Sequence, residues 1–440
     1  MRSNLLLSSF ALATNAASFN PLHHLAGIAP TWKPHNPPLD TKPPAGCNAT
    51  KAAYLVRHAA IYGNDFDYDT YIEPFVEKLA QSAQDWTAAD SLSFLADWTP
   101  PNEEAHMEEI TRVGTNEAIT LGVEVQERYA DLKPPAKVWA SSADRTVRSA
   151  DGFITGFTNN HREEIDLETV PEEENTGANS LTPYKACPAY SSSYGSDQSI
   201  TQTYQKVYTR PIIERLRKLA PSFNFTRTDI VAMFELCGYE TVIRGDSPFC
   251  SLDLFTPAEW LSFEYGNDLM YFHNTGYGRP LSPRLGYPWV RAVTDALADG
   301  SSAQDLYVSF THREVPPVIA TALGLYNNSD FSGANNPNLT MPSDRINYHR
   351  AWKSSEILPF LTHIAIEKME CGAEGYHDGD YYRVLVNSSP QPLTECRDGP
   401  GESCSAGEFL RFVDERGAQF GDFGVACGDL DAPGNLTLYE

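Results

Sequence analysis

The sequence predicts an α/β protein, and three observations carry that expectation. Short apolar runs suited to buried strands occur at Lys51–Val56 (KAAYLV), Lys137–Ala140 (KVWA) and Asp305–Phe310 (DLYVSF). Helical sequence follows each run, and alternating strands and helices build an α/β sheet. The segments after the runs carry Arg57-His58, Ser141-Ser142-Ala143-Asp144-Arg145 and Thr311-His312-Arg313-Glu314. In open α/β sheets ligands sit beyond the carboxyl ends of the strands, so these three ends can converge on one pocket. Helix N-termini there would add partial positive charge that favours a phosphate.

Taken in order, MRSNLLLSSFALATNAAS places Arg2 before a short apolar run and then small residues, the pattern of a signal peptide over 1–17. Residues 18–46 are rich in Pro, His and Asn and read as an extended arm or linker. Between Glu103 and Leu132, Ile110, Val113, Ala118, Leu121 and Val125 recur near helical spacing until Pro134-Pro135 stops the pattern. A helix is expected over Thr146–Phe157. The seven carboxylates between Glu163 and Glu174 read as a solvated acidic segment. Residues 200–290 read as mostly helical, a helix follows His312 as far as Leu325, and Tyr381–Val386 reads as a hairpin strand.

Composition excludes several function classes. The 440 residues hold 33 Lys and Arg against 58 Asp and Glu, a formal charge of −25. Such a surface repels nucleic acid and anionic membrane, so neither partner is expected. With 41% apolar residues the chain can bury a large core, and beyond the N-terminus no apolar stretch approaches the length of a membrane span. The eight cysteines form no CxxC pair, which argues against zinc knuckles and thioredoxin-type sites. An even number behind a signal peptide suggests four disulfides, whose pairing the spacing leaves open. Sequons at Asn48, Asn224, Asn327, Asn338, Asn387 and Asn435 fit a glycosylated, secreted protein.

The strand ends suit phosphoryl transfer. A histidine can attack a phosphomonoester in line and hold the phosphoryl group covalently until water removes it. Guanidiniums neutralise the equatorial oxygens, and a protonated carboxyl supplies the leaving alkoxide with its proton. His58 is the candidate nucleophile, Arg57 and Arg145 the clamps, His312 a further donor and Glu314 the acid. Ion pairs at ordinary strand ends are the competing explanation for each residue taken singly. GxSxG, HExxH, P-loop and GxGxxG motifs are absent. Asp65-x-Asp67-x-Asp69 has Thr70 where a calcium loop needs Gly, so it reads as an acidic turn. His377-Asp378 precedes Gly379 in a turn, and His23-His24 falls in the arm; neither is expected to work chemically.

The segments containing Arg57-His58, ASSADRTVRSA and SFTHRE…ALGLYN resemble the three signatures of the histidine acid phosphatases, with the fungal phytases nearest. The tail CGAEGYHDGDYYRVLVNSSPQPLTEC…GESCSAGEFLRF is similar to the family's terminal hairpin and disulfide loop. The resemblance spans about Cys47 to Cys427. It implies a doubly wound αβα sandwich of the phosphoglycerate mutase type, over 47–165 and 295–440, with a mainly helical cap over 166–294. It also implies the pairings Cys47–Cys371, Cys187–Cys427, Cys237–Cys250 and Cys396–Cys404.

The family's first motif, Arg-His-Gly-x-Arg-x-Pro, reads here Arg57-His58-Ala59-Ala60-Ile61, so Ile61 stands where a second arginine would clamp phosphate. The second motif is usually His-Asp; here it is His312-Arg313-Glu314, and the multiple inositol polyphosphate phosphatases use His-x-Glu. Glu314 therefore takes the acid role, and Arg313 is the candidate replacement for the absent clamp. The expectation is a secreted, monomeric acid phosphomonoesterase acting on a small phosphate ester, with inositol phosphates among the candidates, without metal or cofactor and with an acidic-to-mild pH optimum. The alternatives are the same fold turned to isomerase, lyase or cyclase chemistry on a secondary metabolite, or a non-catalytic binding protein.

Overall fold

Strand β1 (Cys47–Arg57) runs through the middle of an eight-stranded sheet. The computed structural model describes residues 19–33, 39–159, 165–191, 198–300, 304–333 and 336–440; the expected signal peptide lies outside them. The further strands are β2 (Lys137–Ser141), β3 (Asp166–Val170), β4 (Leu306–Thr311), β5 (His363–Cys371), β6 (Gly379–Val386), β7 (Ser389–Gln391) and β8 (Cys404–Ser405). Their order is β3-β2-β4-β1-β5-β6-β7, with β8 beside β6. The first four are mutually parallel and the remainder antiparallel, so four carboxyl ends emerge on one edge.

β1 shows why such a strand is apolar throughout. Ala53 and Leu55 enter one core with Tyr307, Ile366 and Phe412, whereas Ala52, Tyr54 and Val56 enter the opposite one with Leu121, Phe153 and Val308. A parallel strand covered by helices on both faces has no solvated side. On one face lie the helices Arg112–Arg128 and Asp144–Phe157. They cross through glycines: a Cβ on Gly122 would sit 2.1 Å from the Phe153 carbonyl, and one on Gly156 1.9 Å from that of Ile119. On the other face lie Ser282–Ala298, Val315–Ala322 and Ala406–Phe420. The expected α/β class therefore takes the form of a mixed sheet between helical layers.

A further group of helices, Gln198–Leu219, Arg227–Arg244 and Pro257–Asn274, has its own core around Phe234, Phe255, Trp260 and Tyr265. Capping boxes begin two of them, Thr226 with Asp229 and Thr256 with Glu259. Its limits differ from a 166–294 cap. Asp166–Val170 pairs into the sheet, and Ser282–Ala298 packs on the sheet face through Leu285, Trp289 and Val293. Conversely, Phe75, Leu92 and the arm residues Leu25 and Ile28 join the helical core.

The arm is correspondingly no extended linker. Pro21–His24 and Ala26–Ile28 form short helical turns, Asn20 caps the first, and Leu25, Ala26 and Ile28 are buried. Burial of that apolar cluster outweighs the prolines' preference for extended backbone. The acidic segment also departs from expectation. Asp166–Val170 is an edge strand whose Val170 is buried, and Lys137 pairs with Glu168 at 2.9 Å. An edge strand tolerates carboxylates because its outer side faces water. The helix expected over 103–132 begins only at Arg112, because the residues before it bridge Ile110 to Ile61.

Disulfides join Cys47 to Cys371, Cys187 to Cys427, Cys237 to Cys250 and Cys396 to Cys404. Asn48, Asn224, Asn338 and Asn435 are exposed and Asn327 is half-buried. Asn387 is buried; its amide oxygen accepts from the His363 N–H at 3.1 Å and its nitrogen donates to the Glu356 carbonyl at 3.0 Å. Both amide atoms are thus committed internally in the folded chain. No helix among the described residues is long and apolar enough to cross a membrane.

Candidate active site

The segments at the ends of β1, β2 and β4 surround a cavity of about 410 Å³ lined by Arg57, His58, Ile61, Glu108, Arg145, His312, Arg313 and Glu314, among others. β1 delivers Arg57 and His58, and the His58 N–H donates to the Thr311 carbonyl at 2.8 Å, locking the ends of β1 and β4 together. The His58 Nδ1–H donates to its neighbour's Ala59 carbonyl at 2.9 Å, which leaves Nε2 as the ring's lone-pair nitrogen. The ring is buried against His312 and Phe360, with centroids 5.6 Å and 6.0 Å away. Burial, reinforced by Arg57, Arg145 and His312, holds His58 well below the usual histidine range, so it stays neutral in acid.

The cations are held differently. Arg57 donates to the carbonyls of Gly27 (2.6 Å) and Leu358 and lies over the Phe360 ring at 4.4 Å, and burial lowers it to about 10. Arg145, at the start of the Asp144–Phe157 helix, donates to Glu108 at 2.7 Å. Glu108 is raised by burial and by its hydrogen bond with Asp65, while Asp65 is lowered chiefly by that same bond. Of these two adjoining carboxyls, Glu108 therefore takes up a proton before Asp65 does. Arg313 donates to Glu314 at 3.0 Å and lines the cavity. Burial pushes Glu314 upward, but Arg313 and His312 more than offset it, so the resting group is a carboxylate.

β3 brings in a residue that the charge pattern hid. Glu172, two residues past Val170, accepts from His312 Nε2 at 2.8 Å, from Lys185 and from the Ala143 N–H at 3.2 Å. Its burial is outweighed by His312 and Lys185, which hold it well below the usual carboxylate range. Glu108 and Asp65 were likewise not anticipated as site residues. Only the edge-strand alternation around Leu167 and Val170 could have signalled Glu172; nothing local marks Glu108. Ile61 is 3% exposed and paired with Ile110, so the cavity wall is apolar where the motif arginine is missing.

Asp67 instead accepts from Asn64 and Tyr239, and the described residues contain no group of His, Cys, Asp or Glu that could hold a metal ion. His377 and Asp378 lie exposed in a turn, and His24 pairs with Glu264 at 3.2 Å.

A family described as the histidine phosphatase superfamily (branch 2) matches residues 51–387. Phytase PHO112 of Candida albicans is 29% identical over 442 residues, covering 96% of this chain and 90% of the relative. The thiamine-repressible acid phosphatase pho4 of Schizosaccharomyces pombe is 30% identical over 397 residues, covering 86% and 83%. In fold, the phytase of D. castellii superposes with a TM-score of 0.86 at 24% identity, over 99% of this chain and 95% of that one. A multiple inositol polyphosphate phosphatase of Bifidobacterium longum superposes at 0.64 and 13% identity, over 89% and 97%.

Proposed function

Since the chain belongs to branch 2 of the histidine phosphatase superfamily, we propose that it is a phosphomonoester hydrolase working through a phosphohistidine. Relatives named acid phosphatase and phytase along most of the chain favour this over isomerase, lyase or binding roles. The observation that carries the residue assignment is the His58 ring: its Nδ1–H is engaged by a carbonyl, its Nε2 is available, and guanidiniums surround it.

The His58 Nε2 lone pair attacks phosphorus as the P–O bond to the alcohol breaks. The leaving oxygen takes its proton from Glu314, and Arg57, Arg145 and the protonated His312, whose Nε2–H is held by Glu172 and whose Nδ1–H then donates, bind the phosphoryl oxygens. Water then attacks the phosphohistidine, giving its proton to Glu314; the P–N bond breaks and inorganic phosphate leaves. In the resting site Arg313 neutralises Glu314. A phosphoryl dianion competes for that guanidinium, and Glu314, released from it, takes up the proton it must donate. Arg313 thereby serves as the clamp that Ile61 cannot provide. Glu172 orients the His312 ring. The four disulfides fit an oxidising compartment, and together with the leader pattern they support secretion.

The test is hydrolysis of para-nitrophenyl phosphate from about pH 3 to pH 7, with radiolabelled phosphate trapped on the protein by acid or alkaline quench. Wild type should turn over best on the acidic side and yield an acid-labile adduct. His58→Ala should lose activity by about four orders of magnitude and yield no adduct. Equal rates from two folded proteins would end the proposal.

A further inference from the structure

A second cavity, of about 260 Å³, adjoins the first and shares Phe66 and Arg313 with it. Tyr71, Tyr208, Phe263, Met270 and Tyr271 give it an aromatic and apolar wall. Polar side chains form the rest of the lining, and two of them bear on the ligand. Glu235, on the Arg227–Arg244 helix, is 7% exposed, and Gln205 is 8% exposed. Glu235 Oε2 and Gln205 Oε1 are both buried without a hydrogen-bond partner among the described residues. Unsatisfied acceptors in a buried wall are costly, and a ligand that brings donors removes the cost.

The charges at this cavity narrow the ligand further. With Glu235 protonated, Arg227 and Arg313 face Asp67 alone, a net of one positive charge that is too little to hold several phosphates. A polyphosphorylated alcohol would place its own acceptor oxygens against the Gln205 carbonyl oxygen, which already lacks a donor. A flat ring, in contrast, stacks on tyrosine and phenylalanine faces. The volume is adequate, since an engineered apolar cavity of about 150 Å³ holds benzene.

We propose that this cavity receives the leaving-group alcohol of the substrate and selects a neutral, ring-bearing alcohol with a hydroxyl donor over a polyphosphorylated one. The selection rests on the phosphomonoesterase reading; the binding of the alcohol does not. Glu235 is positioned to hold the hydroxyl. Burial and the nearby Asp67 keep its carboxyl protonated, so it can donate as well as accept and adds no charge that would attract a cation.

The experiment compares ethyl phosphate, phenethyl phosphate, its para-hydroxy derivative and inositol hexakisphosphate. The first three share a primary-alkoxide leaving group, so their intrinsic reactivity is alike. The expected kcat/KM rises about tenfold or more from ethyl to phenethyl and again with the hydroxyl, and is lowest for the hexakisphosphate. Gly266 lines the cavity, and a Cβ there meets only ordinary contacts, Tyr208 at 3.6 Å and Tyr204 at 3.8 Å. Gly266→Leu should therefore shrink the cavity and bring the phenethyl-to-ethyl ratio toward one. Glu235→Gln, nearly isosteric, should reduce only the step gained from the hydroxyl. A flat series, or a preference for the hexakisphosphate, overturns the proposal while leaving phosphatase activity standing. If no ester is hydrolysed, calorimetry with para-hydroxyphenethyl alcohol decides the cavity separately. Binding by wild type that Gly266→Leu weakens supports it, and no binding by wild type overturns it.

Discussion

Two buried charge clusters adjoin β1, one beside its middle residue Ala52 and one at its carboxyl end, and they are satisfied to very different degrees. Glu367, on β5, is 0% exposed and accepts from Arg128 Nε at 2.8 Å, Arg383 Nε at 2.5 Å and the Tyr129 hydroxyl. The remaining arms of both arginines reach the Thr41 and Lys42 carbonyls. In the cavity, Arg57 Nε, Arg145 Nε and His312 Nδ1 are buried without a hydrogen-bond partner among the described residues. The first cluster is complete as the protein makes it. The second retains unused nitrogens where an anion would sit, and so it bears a folding cost that a bound phosphoryl group would offset. Completeness marks a structural cluster, and deliberate incompleteness marks a site.

The largest expected departure is in the complete cluster. Glu367→Ala leaves the buried Arg383 and the half-buried Arg128 guanidiniums uncompensated and should cost about 3–5 kcal/mol in urea denaturation, with turnover per folded molecule little changed. A loss below about 1 kcal/mol would show that water or rearrangement serves equally well there, and the contrast would fail.

Next comes acid stability. His363, at the start of β5, is enclosed between the Leu361 carbonyl and the Ser388 hydroxyl, and burial lowers it from 6.5 to about 4. The unfolded chain thus takes up a proton that the folded chain refuses. Its contribution is fully present above about pH 6.5 and is lost as pH falls toward 4, amounting to about 3 kcal/mol. His363→Gln should flatten that part of the stability–pH curve, measured by denaturant midpoints. An unchanged slope would move the effect to His58, which is lowered in the same direction.

The smallest effect belongs to the positioning residue. Glu172→Gln keeps an acceptor for His312 but removes the charge, and should lower kcat about tenfold with KM nearly constant. A change confined to KM would assign Glu172 to substrate binding instead.

Much of this was legible because strand ends are local. β1, β2 and β4 are short apolar runs, and Arg57, His58, Arg145, His312 and Glu314 stand at or just beyond their ends, so sheet geometry gathers them. Glu172 escaped because a run of carboxylates in sequence resembles solvated chain, and only pairing with β2 turns it into a strand. Glu108 escaped for another reason: it precedes a helix by four residues and reaches Arg145 solely through the docking of Gly114 against Ala60. The arm escaped because its prolines suggest exposure, yet Gly27 supplies a carbonyl to Arg57.

The sequence by itself determined the α/β class, the family likeness and the strand-end chemistry, since period, motif and strand length are properties of neighbours along the chain. Tertiary structure alone decided which acids meet which cations, how the Ile61 gap is lined and where the aromatic cavity lies. Those depend on contacts between residues as far apart as Gly27 and Leu358, both of which hold Arg57, and no local pattern encodes distance across a core.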